Sequence, residues 1–326
     1  MTNSSIPLRR TLASYAIWPG IFCGGLIGTY FAFQATAHLF WFNVVYLSVV
    51  ATIATFERLM PYEETWLAGD GETFNNVAHT LLSKGGVQIA AAIGTSAPMA
   101  VAILAQPVFV LPVRLWPDSW PFALQVVLGL VIAEFGLYWA HRLAHEKNTL
   151  WRFHALHHSV ERLWVVNTGR FHIVDSIIKI VLSQIPLYLL GAPLPIFLWI
   201  GAVTAFVGLL THCNIEVRTG PLDRLMSTPR LHRWHHSRLL SEGNTNYGEN
   251  LVLWDQIFGT YYNPPRPSSV NIGISGRVSK SFLGQLAQPF STKGFREIMG
   301  RRPKQPALPV HNPIPEESTA ATTPAE

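Results

Sequence analysis

Long apolar runs alternate with short polar breaks along most of the chain. The first run covers residues 12 to about 33 and is interrupted by Pro19 and several glycines. A break over 34–38 leads into a second run that stops at Phe56, where Glu57 and Arg58 follow. So short a break suits a tight hairpin between two membrane helices. Residues 57–85 are polar, and their pattern predicts a helix from Thr73 to Ser83. A third run spans about 86–113 and contains Pro98 and Pro107; Trp116, Pro117, Asp118 and Trp120 then read as an interfacial turn. The fourth run starts near Pro121 and continues to Glu146, apolar enough at first to cross much of a bilayer and charged in its second half. Runs at 173–190 and 194–211, parted by Gly191, Ala192 and Pro193, sit near the lower length limit for a span. A full crossing and a re-entrant pair both fit them. Residues 213–262 are polar and aromatic, and the tail from about Arg301, rich in Pro, Ala, Thr and Glu, reads as disordered.

Composition agrees with a membrane bundle. Charged residues make up 13% of the 326, against about 25% in soluble proteins. Eleven Trp and eighteen Phe suit membrane interfaces. Arg9 and Arg10 precede the first run as in a signal peptide, but no clear small-residue cleavage site closes that run and further runs follow, so it is read as a first membrane helix. With the N-terminus in the cytosol and six crossings, the outer connections contain one basic residue, Arg114. The inner ones contain Arg9, Arg10, Arg58, Lys84, Arg142, Lys147, Arg152, Arg162 and Arg170. This asymmetry puts the N-terminus and the region after Glu146 on the cytosolic side. The net charge of +5 is explained by such loops facing anionic lipid. No folded nucleic-acid module and no Lys/Arg run with interleaved aromatics is present, so no nucleic-acid partner is expected. Cys23 and Cys213 both lie in apolar stretches, which argues against a disulfide framework or a thiolate metal site.

The chemistry is carried by histidine. Ten of the thirteen histidines fall between His141 and His236. His141 and His145 are four apart and share a helix face, which Glu134 and Tyr138 extend backward. Two copies of one pattern, H-x-x-H-H, follow: His154, His157 and His158, then His232, His235 and His236. Three imidazoles spaced this way on a helix can converge on one or two cations, and repetition some eighty residues apart implies two half-sites that close on each other. Imidazole suits iron, zinc, copper and nickel, and the shortage of carboxylates disfavours calcium and magnesium. His212, at the end of the sixth run, and His172, at the start of the fifth, are further candidate ligands, His212 the stronger. His38, His79 and His311 have no partners in sequence and are read as structural or surface residues.

The order of these boxes resembles the fatty acid hydroxylase and sterol desaturase superfamily. Trp139-Ala-His-Arg-Leu-Ala-His145-Glu resembles its first box, His157-His158-Ser159 its second, and the stretch from Asn246 through Trp254 and Asp255 to Tyr261 the segment that closes the domain. The resemblance covers about 121–262, so the chain divides into N-terminal membrane segments (1–120), a catalytic domain (121–262) and a C-terminal extension (263–326), disordered from about 301. It implies an all-α, polytopic bundle of four to six membrane segments with a cytosolic helical cap holding a histidine-ligated dimetal site. It also implies two iron ions, O2, two external electrons, and an acyl, sterol or related lipid substrate. The site residues that carry over are His141, His145, His154, His157, His158, His232, His235 and His236, with His172 and His212 added. Position 208, one turn before His212, is Gly where some relatives carry a second histidine.

A lipid C–H bond has no acidic proton and no leaving group, so acid–base side chains alone cannot remove its hydrogen; a metal centre that reduces O2 can. The expected activity is therefore lipid hydroxylation, with desaturation by the same site or a head-group or ether-lipid oxygenase as alternatives. Glu134, Asn214 and Asp255 are candidate partners behind the ligands, as are Glu146, Asp175 and Glu216. No haem motif or Cys-rich cluster is present, so electrons are expected from a separate protein. Arg152, Arg162, Arg230 and Arg233 form a basic rim that could dock it. A metal transporter would place its ligands near the membrane midplane. A zinc hydrolase needs only three ligands. Both fit the ten histidines less well.

Overall fold

Hydrophobic length and helix propensity are realised as helices throughout. The structure, a computed structural model, describes residues 8–89 and 115–300. Most of the third apolar run and the tail from residue 301 lie outside the described residues. Helix α1 (Leu8–Gln34) and α2 (His38–Leu59) form the predicted hairpin. Next come α3 (Thr73–Ala78), which continues into a π-helical turn (His79–Gly85), then α4 (Phe122–Glu146) and α5 (Asn148–His158). The chain continues through α6 (Ile173–Leu189), α7 (Leu194–Thr211) and α8 (Pro229–His235). Four short helices follow: α9 (Leu240–Gly243), α10 (Leu253–Ile257), α11 (Phe282–Ala287) and α12 (Thr292–Met299). Among the described residues there is no strand, only three isolated bridges.

Among the described residues, four helices, α1, α2, α4 and α7, are long and apolar enough to cross a membrane. Half of the α7 window is buried, against 11% for α2, so α7 is central and α2 peripheral. Trp18 and Ile53 pack with Phe206, Val207 and Leu210 of α7 in one core cluster. Outward, α1 and α2 leave Leu12, Phe31, Leu39, Phe40 and Leu47 exposed, the surface expected of helices whose solvent is lipid rather than water.

Helix α6, 17 residues long, lies against α4 and turns Asp175 and Lys179 inward. The two backbones approach so closely at Gly136 that a Cβ there would sit 2.0 Å from the Leu182 carbonyl oxygen. The expected interfacial turn is present: Trp116 Nε1 donates to Gln125 Oε1 at 2.7 Å, and Gln125 Nε2 donates to the Trp120 carbonyl at 2.9 Å.

Two readings need amendment. Helix α2 continues past Phe56 to Leu59, and Glu57, taken as the polar end of the run, is 4% exposed. Its Oε1 accepts from the backbone N–H groups of Val165 (2.8 Å) and Asn214 (3.0 Å) and so pins two loops under the cap. The helix expected over 73–83 forms, but its second half widens to π geometry from His79, a feature often found at functional sites.

Candidate metal centre

The polar end of the bundle is built by helices whose apolar spacing turns one histidine face inward. α4 supplies His141 and His145 from its last turns, α5 supplies His154, His157 and His158, and α8 supplies His232 and His235, with His236 at its C-cap. Pro229 opens α8 behind the Thr228 N-cap, a start that suits a short helix. His212 caps α7.

These side chains form two groups. His141, His145, His154, His158 and His235 make one; His157, His212, His232 and His236 make the other. Within each group the ligand atoms lie within 4.8 Å of one another, close enough to hold a metal ion. The two H-x-x-H-H segments do meet: His157 and His236 bring their Nε2 atoms to 3.2 Å, and the His158 and His236 rings stack at 4.3 Å across the groups.

The hydrogen bonds behind the rings indicate what the space between them is for. The Nδ1–H of His141 donates to the Tyr247 carbonyl (2.7 Å), that of His145 to Asn244 Oδ1 (3.2 Å), and that of His154 to Asp175 Oδ2 (3.0 Å). His212 donates in the same way to Asn167 Oδ1 (2.9 Å) and His235 to the Thr245 carbonyl (2.7 Å). An imidazole whose Nδ1 carries its proton has a bare lone pair at Nε2. Those Nε2 atoms converge with the Nε2 atoms of the remaining rings: His145 and His158 at 3.0 Å, His158 and His154 at 3.1 Å, His212 and His232 at 2.9 Å, and His232 and His236 at 3.1 Å. The buried Nε2 atoms of His141 and His235 have no hydrogen-bond partner among the described residues. Buried ring nitrogens gathered this closely, with no acid or thiol among them, form a donor set that fits metal. Burial pushes the imidazolium forms of His157, His158, His232 and His236 well below the usual histidine range, and pulls His212 and His235 down to about 3. The rings are thus neutral and able to ligate at physiological pH.

The remaining candidates are placed differently. His172 lies outside both groups; its Nδ1 accepts from the Val174 N–H at 3.1 Å and its Nε2 donates to the Leu286 carbonyl at 3.0 Å. Both nitrogens are spent on backbone, which makes it a helix cap. Glu134 and Asp255 touch no histidine; they hold the loop that carries Tyr247. Glu134 accepts from the N–H groups of Glu249 (2.6 Å) and Asn250 (3.0 Å), and Asp255 from those of Tyr247 and Gly248, both 2.8 Å. Asn246 takes the left-handed conformation here, at φ 53°, and its side chain bonds the backbone of Leu231 and Tyr262. Asn214 spends its side chain on the Glu63 backbone, accepting from its N–H and donating to its carbonyl. Asp175 is the carboxylate that reaches a ring directly. Glu146 is paired with Arg142, and Glu216 with Arg10.

The expected basic rim is dispersed. Arg233 is 2% exposed, bonds the Cys213 and Ile215 carbonyls and lies over the Tyr62 ring, while Arg162 is bound to Asp70. Neither can dock a partner. His79 is structural, held by Ser83 and Gln285. Two cavities reach the histidines. One approaches the first group beside Trp151, Arg238, Gly273 and Met299. The other reaches the second group beside Lys84, Lys179, Gly208 and Glu249.

Membrane-length apolar helices closed at one end by two all-imidazole groups define a class: helical oxidoreductases of the membrane type with a histidine-rich metal site. The fatty acid hydroxylase family model matches residues 126–260, and the chain is 73% identical over 303 residues to an ornithine lipid hydroxylase of Rhizobium tropici, covering 93% of this chain and 91% of that protein. The chain belongs to the fatty acid hydroxylase family. It is also 34% identical over 152 residues to an alkylglycerol monooxygenase of Homo sapiens, 45% of this chain and 32% of that one. With a Delta(7)-sterol 5(6)-desaturase of Gibberella zeae it shares 26% identity over 150 residues, 45% and 44% of the two chains. No solved structure matches at a significant level. These relatives are oxidoreductases acting on lipids, and the chain is a lipid hydroxylase of that kind; the transporter and zinc-hydrolase alternatives find no support.

Proposed function

We propose that this chain hydroxylates a C–H bond of an ornithine lipid, using O2 and a pair of iron ions held by nine histidines. The observation that carries the metal assignment is the convergence of buried ring nitrogens in groups of five and four, with no carboxylate in either group. Soft thiolate sites and hard oxygen sites are both excluded by that donor set. The substrate assignment rests on the extent of identity to the Rhizobium tropici hydroxylase. When bound, the metal pair supplies the reduction of O2 that C–H oxidation requires. The protein's own residues do the rest. Asp175, Asn167, Asn244 and the Tyr247 and Thr245 carbonyls fix the tautomers and aim the rings. Phe171 stacks on His157 at 4.2 Å and closes that side of the second group. Electrons come from a separate donor protein. The positive-inside asymmetry supports an N-terminus and metal site on the cytosolic side, which reporter fusions at the N-terminus and after residue 300 would check by both reading out in the cytosol.

The test is comparative lipid mass spectrometry of a host that makes ornithine lipid, with and without this chain. A gain of one oxygen on ornithine lipid is the expected result. A loss of two hydrogens would turn the reading to desaturation, and an unchanged lipid profile would refute the substrate. Metal analysis of the purified chain should give about two iron per chain, with oxygen uptake on adding substrate and reductant.

A further inference from the structure

The cavity that reaches the second histidine group has an unexpected wall. A site for the middle of an acyl chain or a sterol would be apolar, yet this one is lined by Lys84, Lys179 and Glu249, with Thr168, Thr204 and Thr211 between them. Lys179 is buried and Lys84 and Glu249 are half-buried; charge withdrawn from water beside a membrane bundle is costly unless it is paired, so such residues mark function by default. The pairing is uneven. Lys179 collects both nearby carboxylates: its Nζ lies 2.5 Å from Glu249 Oε1 and 4.0 Å from Asp175 Oδ2. Lys84 has no carboxylate within 4 Å among the described residues; its Nζ rests 5.1 Å from the centroid of the Phe171 ring, whose face Lys179 also approaches, at 4.4 Å. Lys84 is carried by the π-helical turn, and Gly208, which lines the same cavity, keeps free the space a side chain would occupy, with only the Thr168 methyl 3.6 Å from where its Cβ would lie.

We propose that this cavity binds the charged headgroup of the lipid substrate, with Lys84 receiving a carboxylate and Glu249, on the same lining, an amine. The assignment rests on the ornithine-lipid reading above and deepens it. Ornithine has one carboxylate and two amines, so a lipid that spends one amine on its acyl chain keeps one group of each sign. Charge complementarity then places the headgroup, rather than the interior of the acyl chain, beside His157, His212 and His232. Lys84 gains the close carboxylate it lacks among the described residues, and Glu249 exchanges part of its ion pair with Lys179 for the ligand's amine.

The experiment uses full-length, iron-loaded protein in detergent and two lipids with the same acyl chains: ornithine lipid and its counterpart lacking the carboxylate. Binding and product formation are both measured. Wild type should favour ornithine lipid by about 10- to 100-fold, the range for losing one charged hydrogen bond. Lys84→Gln should abolish most of that preference by raising KM, with iron content unchanged, and Lys84→Arg should restore it. Glu249→Gln should weaken ornithine lipid but not the same lipid with its amine acetylated. Equal affinity of wild type for both lipids overturns the proposal, even if ornithine lipid is hydroxylated. Discrimination without hydroxylation leaves the cavity assignment standing and sinks the reaction assigned above. Failure of wild type to bind either lipid sinks both.

Discussion

A histidine's role here depends on where its second nitrogen goes. His235 directs Nδ1 to the Thr245 carbonyl and leaves a bare Nε2 facing the first group, whereas His172 spends both nitrogens on backbone. His235→Ala and His157→Ala should therefore lose iron and lipid oxidation together, measured as metal per chain and product in the same preparation. His172→Ala should keep its iron and lose only some stability, since a helix cap is worth about 1 kcal/mol; iron loss equal to that of His235→Ala would make it a ligand. Asp175→Ala removes the acceptor behind His154 and should weaken metal retention by about 10- to 100-fold against a chelator. The eight box histidines were legible because spacing on a helix is local information. Asp255, Glu134 and Asn246 were only half legible. Their partners are backbone groups of a loop brought in from up to 116 residues away, and nothing in the local pattern says that a carboxylate will hold a loop rather than a ring.

Among the helices, the decisive contacts are close approaches that apolar periodicity does not encode. The α4–α6 contact depends on Gly136, where an added Cβ would lie 2.0 Å from a backbone oxygen and so could not be relieved by a side-chain rotation. Gly136→Ala should push α6 outward and cost about 1–3 kcal/mol, read as a lower Tm in detergent. Because α6 carries Asp175 and Lys179, iron retention should fall in the same variant. A Gly136→Ala protein with unchanged Tm and iron content would show that the two helices are not packed this way. The long spans were readable from hydropathy alone because α1, α2, α4 and α7 each hold an apolar stretch of 18 residues with at most two charges. Glu57 was misread for the complementary reason: a charge at the end of an apolar run marks a water interface only when no buried N–H groups wait for it, and those of Val165 and Asn214 do.

On the scale of the whole molecule, the clustered histidines make the metal-free fold sensitive to acid. Seven of the clustered histidines, His154, His157, His158, His212, His232, His235 and His236, lie outside the membrane-length helices, and burial lowers each below its ordinary pKa of 6.5. A ring whose folded pKa is depressed takes up its proton only when the chain unfolds, so acid favours the unfolded chain. Stability from this source is intact above about pH 6.5 and is lost as the pH falls below it, by up to about 1.4 kcal/mol per ring per pH unit. Several rings titrating together can consume a total stability on the order of 5–15 kcal/mol within one or two units. Metal-stripped protein should therefore show a steep fall in Tm between about pH 7 and about pH 5.5. Iron-loaded protein should hold its Tm to lower pH, because a cation on the lone pairs must be displaced before the rings can be protonated. Thermal unfolding in detergent, with and without chelator across that range, measures both curves. Parallel curves would mean that the nine rings do not share bound metal, and a flat curve for the stripped protein would mean that they are not buried as neutral groups.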